Sequence, residues 1–231
     1  MPARLTPLET PTPLALITGD PRRAFALARE LMVQPKMSHQ ARGLWGYTGI
    51  TGGGLEVTVQ STGIGGPSAA AVLADLAAIG VRRVIRLGTC VAPATSHPAG
   101  RVLLVEAAIG RDGTSAALAG RDSGLAPDSA LQDALASVAP SATVSSHDFP
   151  ARHDPDGAEP ARGASARDLQ TAATFAIARK LGLAAAALLA VAGQGDDRDL
   201  GEGELEGLLA EVGHEVLNRL EDLDPNPQVE G

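Results

Sequence analysis

A single-domain α/β fold is predicted by three observations. Short apolar runs alternate with segments of helical period, most of the runs end in glycine-rich turns, and the composition suits one large buried core. The chain has 231 residues, 44% of them hydrophobic and 20% charged, which places it among folded globular chains of one large unit. Strands alternating with helices imply a sheet with helices packed on both faces. The domain is expected to span 1–231, with 1–12 and 224–231 as extended tails.

Leu14–Thr18 is a short apolar run that fits a buried strand. It ends in Gly19-Asp20-Pro21, where Asp20 can cap a helix and Pro21 suits the first helical position. Residues 22–32 then carry Ala24, Leu27, Ala28 and Leu31 at helical spacing. Segments 45–51 and 55–61 flank Gly52-Gly53-Gly54 and predict a hairpin. Gly63-Ile64-Gly65-Gly66-Pro67-Ser68 is a second glycine-rich turn, opening a helix at Pro67 that stops near Gly80. Strands are expected at 84–87, with a Gly88-Thr89 turn at its end, at 102–108 and at 142–146. Helices are expected at 128–138, at 166–181 with Gly182 as its stop, and at 204–223. A buried strand fits 185–192. Residues 147–165 are rich in Pro, Gly and charge, a length of irregular chain that suits a functional lid or disorder.

The formal net charge is −8, which argues against non-specific nucleic-acid binding. Lys36 and Lys180 are the only lysines among 19 basic residues, so the cationic side chains are nearly all guanidinium forks, well shaped for tetrahedral anions. Aromatics are 2% of the chain, too few for a base-stacking platform. Cys90 is alone, which excludes an internal disulfide and a cysteine-rich metal site. His39, His97, His147, His153 and His214 form no H-x-x-x-H pair on a predicted helix, so no metal is expected. No apolar run of about 18 residues and no signal-peptide pattern is present, so a cytoplasmic protein with no membrane partner is expected.

Three predicted strand ends pair glycine with an anion donor: Gly19 with Arg23, residues 63–68, and Arg86 with Thr89. Backbone N–H groups at a helix start attract anions, and Arg86 lies in an apolar strand where an unpaired charge is costly. These groups can converge on one phosphate. They can equally be a structural ion-pair partner at Arg86 and a solvated helix charge at Arg23. The glycine run at 63–68 fails the G-x-G-x-x-G pattern, and Arg82 and Arg83 stand where a dinucleotide site needs an acid. Cys90 reads as a small buried residue, and Trp45 and Tyr47 as packing or interface side chains. His147 and His153 can titrate near neutrality. Asp196 and Asp197 read as an acidic turn.

Taken in order, Ile17-Thr18-Gly19-Asp20-Pro21-Arg22-Arg23, Arg42-Gly43-Leu44-Trp45-Gly46-Tyr47-Thr48-Gly49, Ser61 to Ser68, Ile85-Arg86-Leu87-Gly88-Thr89-Cys90 and Arg111-Asp112-Gly113-Thr114-Ser115 resemble the hexameric-type nucleoside phosphorylase family. That family includes uridine phosphorylases and bacterial purine nucleoside phosphorylases. The resemblance implies a mixed, barrel-like central sheet flanked by helices and assembly as a homodimer or a homohexamer built from dimers. It implies phosphate binding by Gly19, Arg23, Arg86 and Thr89, with Arg42 reaching the phosphate of a neighbouring copy. Ile64, Phe149, Asp168, Leu169 and Gln170 would form the nucleoside side. Arg86 and Arg23 would be the catalytic cations, inorganic phosphate the co-substrate, and no cofactor would be needed.

Departures from the family pattern concentrate on the nucleoside side. A Glu-Met-Glu motif is replaced by Asp168-Leu169-Gln170, and a neutral amide serves a cationic sugar poorly. No His precedes His39, so an N-terminal ribose-site histidine is absent. Gly193 stands where the purine branch places an Asp, and Arg152 and His153 do not reproduce the uridine branch's base-binding pair. The expectation is reversible phosphorolysis of a uridine-like nucleoside to free base and (deoxy)ribose 1-phosphate, a pentosyl transfer of nucleoside salvage. The alternatives are a relative that only binds a phosphorylated small molecule, and a hydrolytic nucleosidase.

Overall fold

The computed structural model describes residue 5 and residues 7–193 and 199–223. Its elements in chain order are β1 (Leu14–Thr18), α1 (Pro21–Leu31), β2 (Val33–His39), β3 (Gly46–Ile50), β4 (Glu56–Ser61), α2 (Gly65–Ala78), β5 (Arg83–Val91), β6 (Val102–Gly110), α3 (Gly113–Ala119), β7 (Gly124–Leu125), α4 (Ser129–Leu135), β8 (Ser141–Ser146), β9 (Ala166–Asp168), α5 (Thr171–Leu181), β10 (Ala184–Gly193) and α6 (Glu202–Leu223).

Strand β10 pairs with β6 on one edge and with β5 on the other, so β10, β6, β8, β9 and β5 close into a five-stranded mixed barrel. The strands β1, β4, β3 and β2 continue outward from β5 in that order. Strand β5 is therefore shared. Its first half lies between β1 and β10, and its end meets β9 at Val91 opposite Arg167. Closure removes edges that would otherwise need protection.

Period-two alternation divides the core into two layers. Ala15 and Ile17 face a cluster that includes Leu73, Leu76 and Phe175 from α2 and α5. Leu14 and Leu16 face the opposite cluster, built from Leu27 of α1, Leu135 of α4 and Leu209 of α6. The residue 5 side chain is also buried, and Leu8 N donates to Ser38 O at 2.8 Å, so the N-terminal segment packs along the body where it is described. The predicted tail 224–231 and the predicted acidic turn at Asp196-Asp197 lie outside the described residues. No helix among the described residues is long and apolar enough to cross a membrane.

The start of α1 follows its local signals. Asp20 accepts from Arg22 N at 2.6 Å and Arg23 N at 3.3 Å, and Pro21 takes the first helical position. Other boundaries are set by tertiary pairing. Gly88-Thr89 is not a turn, because β5 runs on to Val91 along the whole length of β10. Residues 166–168 are not helical: β8 captures them as β9, and α5 begins only at Thr171. Helix α2 starts at Gly65, two residues before Pro67. Strand β2 was not predicted, because Val33–His39 lies at the sheet edge with a mostly exposed face and lacks apolar alternation. Pro35 and Lys36 are residue types that blunt such an edge. The short helix α3, capped by Asp112, and the two-residue strand β7 were likewise not predicted.

Leu87 in β5 is fully buried against the α1/α4/α6 layer. Leu87→Ala is expected to cost about 3 kcal/mol, within the range for a buried leucine truncation. Urea unfolding should show this as a lower midpoint at unchanged m-value.

Candidate active site

A cavity of about 700 Å³ opens where β1, β5 and β9 end and the α2 turn begins; its walls include Gly19, Arg23, Gly63, Arg86, Asp168 and Gln170. The site is built around Arg86, which is 4% exposed. Its Nη2 donates to Asp168 Oδ2 at 3.1 Å, Nη1 to Gln170 Oε1 at 2.9 Å, and Nε to Thr171 Oγ1 at 3.2 Å. A guanidinium carries five N–H donors, so two remain for a ligand. The group lies flat over Gly88: a Cβ there would stand 2.6 Å from Arg86 Cζ. Residues i and i+2 share one face of a strand, which is why a glycine follows Arg86 at that interval.

Asp168 is held from every side. Beyond Arg86 it accepts from Ser146 Oγ at 2.5 Å, Thr171 Oγ1 at 2.6 Å and Thr171 N at 3.0 Å. Gln170 is equally committed. Its Nε2 donates to Gly63 O at 2.6 Å and Gly65 O at 3.2 Å, and its Oε1 also takes the Thr62 hydroxyl at 3.3 Å. Both N–H donors of the amide and one side of its oxygen are thus taken by protein, and the Thr62 proton is shared with the nearer Thr18 O at 3.1 Å. Gln170 joins the glycine turn before α2 to Arg86.

Arg23 lines the same cavity and pairs with Glu202 at the start of α6, through Nε and Nη2 at 3.2–3.3 Å. The Glu202 side chain is 69% exposed, so water screens this pair and it is worth at most about 1 kcal/mol. Gly19 stands beneath the Gly63 carbonyl, which a Cβ at Gly19 would approach to 3.4 Å. Thr89 and Cys90 line the wall from β5. Burial pushes the Cys90 thiol far above its ordinary pKa, with the Asp168 charge adding to the rise, so it is no thiolate nucleophile.

The structure thus brings together Gly19, Arg23, Arg86, Thr89, Ile64, Asp168, Leu169 and Gln170. Arg42 lies apart, exposed in the turn 41–43 with φ +59°. Phe149 is half exposed, and its neighbours Pro150, Ala151 and Arg152 form the wall instead. His153 is exposed and away from the cavity wall. Tyr47 is buried and tilts against Phe25 with ring centroids 5.8 Å apart. Residues that sequence reasoning missed include Glu202, Arg167 and Asp199. Asp199 occupies the space a side chain at Gly193 would need, and it lines the cavity. None of the three carried a local signal, since each reaches the site only through folding.

His147 is buried beside the cavity, not in it. Its Nδ1 lies 2.9 Å from Asp154 Oδ2 and its Nε2 3.0 Å from Ser145 Oγ. The Asp154 carboxylate can only accept, so Nδ1 carries a proton; Ser145 Oγ, which also accepts from Ala161 N at 3.0 Å, faces Nε2. Burial, reinforced by the Arg167 charge, lowers the His147 pKa below its ordinary 6.5, against the opposing pull of Asp154.

A comparison with known families places this geometry. The Phosphorylase superfamily description matches residues 13–222. The chain belongs to that superfamily. Among curated members it is 42% identical over 76 residues to the DeoD-type purine nucleoside phosphorylase of Oceanobacillus iheyensis, covering 32% of each chain. It is 37% identical over 102 residues to the uridine phosphorylase of Haemophilus influenzae, covering 44% of this chain and 40% of that one. For the uridine phosphorylase of Salmonella typhimurium the figures are 34% over 134 residues, 58% and 52%. The matched stretches thus span about a third to a half of those superfamily members. A crystal structure of the uridine phosphorylase of Vibrio fischeri ES114 superposes with a TM-score of 0.75 over 90% of this chain and 92% of that one, at 22% identity. This likeness establishes the superfamily's barrel and flanking helices as the fold.

A histidine held neutral in the folded state binds fewer protons than in the unfolded chain. Its contribution to stability is therefore present above pH 6.5 and lost as pH falls through its lowered folded value. Unfolding midpoints in urea should drop between pH 7.5 and pH 5, and His147→Gln should flatten that drop.

Proposed function

We infer that this chain is a nucleoside phosphorylase, splitting a uridine-like nucleoside with inorganic phosphate into free base and a pentose 1-phosphate. The observation that carries this reading is the meeting of Arg86 and Arg23 with the glycine turns at 19 and 63–65 in one cavity. In that reading phosphate lies against the two unused N–H donors of Arg86 and the fork of Arg23, with Thr89 and the Gly19 N–H setting its orientation. Phosphate is then both nucleophile and a fixed negative charge below the anomeric carbon as the sugar becomes oxocarbenium-like. The protein supplies placement and electrostatics. Asp168 and Gln170 act chiefly by holding Arg86 in place, since both accept directly from its guanidinium. No organic cofactor enters this scheme.

Arg42 lies outside the cavity of its own chain, which supports the reading that it serves the phosphate of a neighbouring copy in a homodimer or homohexamer. A second reading is a superfamily member that keeps the anion cradle and turns nothing over. The amide of Gln170 favours it, because both its N–H donors go to Gly63 O and Gly65 O and its oxygen takes Arg86, which leaves little for sugar hydroxyls.

Purified protein given pyrimidine and purine nucleosides, with and without phosphate, should release base only when phosphate is present. Arg86→Ala should reduce that turnover by at least a thousandfold and also lower the unfolding midpoint, since it leaves Asp168 buried and unpaired. Arg86→Lys, which keeps a cation beside Asp168 but loses the fork, separates the two effects, and undiminished turnover in both variants would reject the assignment. Glu202→Gln frees Arg23 from an exposed ion pair worth at most about 1 kcal/mol, so the KM for phosphate should fall by up to about fivefold with the nucleoside KM unchanged.

A further inference from the structure

Three acceptors in the irregular segment after β8 converge on one guanidinium. Arg167 Nη2 donates to Phe149 O at 3.0 Å and Asp154 Oδ2 at 2.5 Å, and Nη1 donates to Gly157 O at 2.8 Å. The Arg167 and Asp154 side chains are 2% and 5% exposed, so this pair is shielded from water and is not a screened surface contact. Asp154 Oδ2 also takes the Nδ1–H of His147, whose Nε2 faces Ser145.

The order Ser145, His147, Asp154 has the look of a nucleophilic relay. It cannot act as one here. Ser145 is fully buried, and its oxygen holds the Ala161 N–H. Its members hold the segment instead: Ser145 takes the Ala161 N–H, and Asp154 takes Arg167, whose remaining bonds go to Phe149 O and Gly157 O.

Arg167 and Asp168 are adjacent on the three-residue strand β9, so their side chains leave opposite faces of the sheet. Arg167, which itself lines the cavity, reaches the segment that carries Pro150–Arg152, the outer wall, and Asp168 reaches Arg86. The geometry points to Arg167 as a positioning residue that clamps this wall at a set distance from the Arg86 cradle. Without the clamp, a stretch of irregular chain would have to be ordered by each incoming ligand, and that entropy would be subtracted from binding. A substrate part that touches the wall should feel the loss. An anion held by Arg86 and Arg23 should not.

The kinetic part of this inference rests on the phosphorylase reading; the structural part does not. The test compares wild type, Arg167→Met and Asp154→Asn as full-length native protein. Trypsin cleavage at the exposed Arg152 and Arg162 is timed, and the KM values for phosphate and for uridine, or the fastest nucleoside found, are measured. Both variants are expected to be cut at least tenfold faster, with the nucleoside KM raised at least tenfold and the phosphate KM within twofold of wild type. Unchanged cleavage, or equal rises in both KM values, would overturn the clamp. If wild type turns over no nucleoside, the phosphorylase reading fails while the cleavage rates still decide the clamp. If Arg167→Met does not fold, Asp154→Asn, which leaves the carbonyl contacts of Arg167 in place, carries the same comparison.

Discussion

A guanidinium buried at the heart of a sheet must be neutralised where it stands, and Arg86 imposes that demand on everything around it. An unpaired charge in such a place costs several kcal/mol, a large share of the whole stability of a domain. Asp168 supplies the counter-charge, Gln170 and Thr171 supply acceptors, and Gly88 supplies the bare backbone on which the planar group rests. Removing Asp168 would leave the cation unpaired, a loss of about 3–5 kcal/mol. The cradle is therefore a structural feature first, and its two unused donors are what make it available to an anion.

That demand explains why the barrel closes as it does. Arg86 comes from β5, and its partners come from β9, the residue that caps α5 and the first residue of α5, some 80 positions later in the chain. β9 is only three residues long and is held by β8 on one side and the tip of β5 on the other. Such a short strand would not persist alone. It persists because Asp168 is tied to Arg86 and Arg167 is tied to the irregular segment. The same dipeptide thus joins the Arg86 end of the cavity to its outer wall.

The two arginines of the site differ in kind. Arg86 is fixed by a buried network that a ligand would join without dismantling. Arg23 is held by an exposed carboxylate that a ligand would displace at little cost. A rigid cation beside an exchangeable one is an arrangement that suits the entry and release of an anion. Asp168 and Gln170, whose hydrogen bonds are all internal, belong with the rigid half.

Much of the fold was legible because its signals are local. Asp20 and Pro21 start α1, Gly182 ends α5 with φ +69°, and apolar runs mark β1, β6, β8 and β10. The motifs around Gly19, Gly63 and Arg86 identified the superfamily and most of the cavity wall, and the closed barrel came from that resemblance, since alternation of elements implies a sheet without saying whether it closes. Tertiary structure alone decided the rest. β5 runs past Leu87 because β10 hydrogen-bonds it to its end. Residues 166–168 are strand and not helix because β8 captures them. Arg23 meets Glu202 across 179 positions, and Arg167 gathers the loop that its own sequence neighbourhood does not announce. Propensity, capping and periodicity act over a few residues and are written in order along the chain, whereas a buried charge finds its partner only once the fold has brought side chains from distant segments within hydrogen-bonding reach.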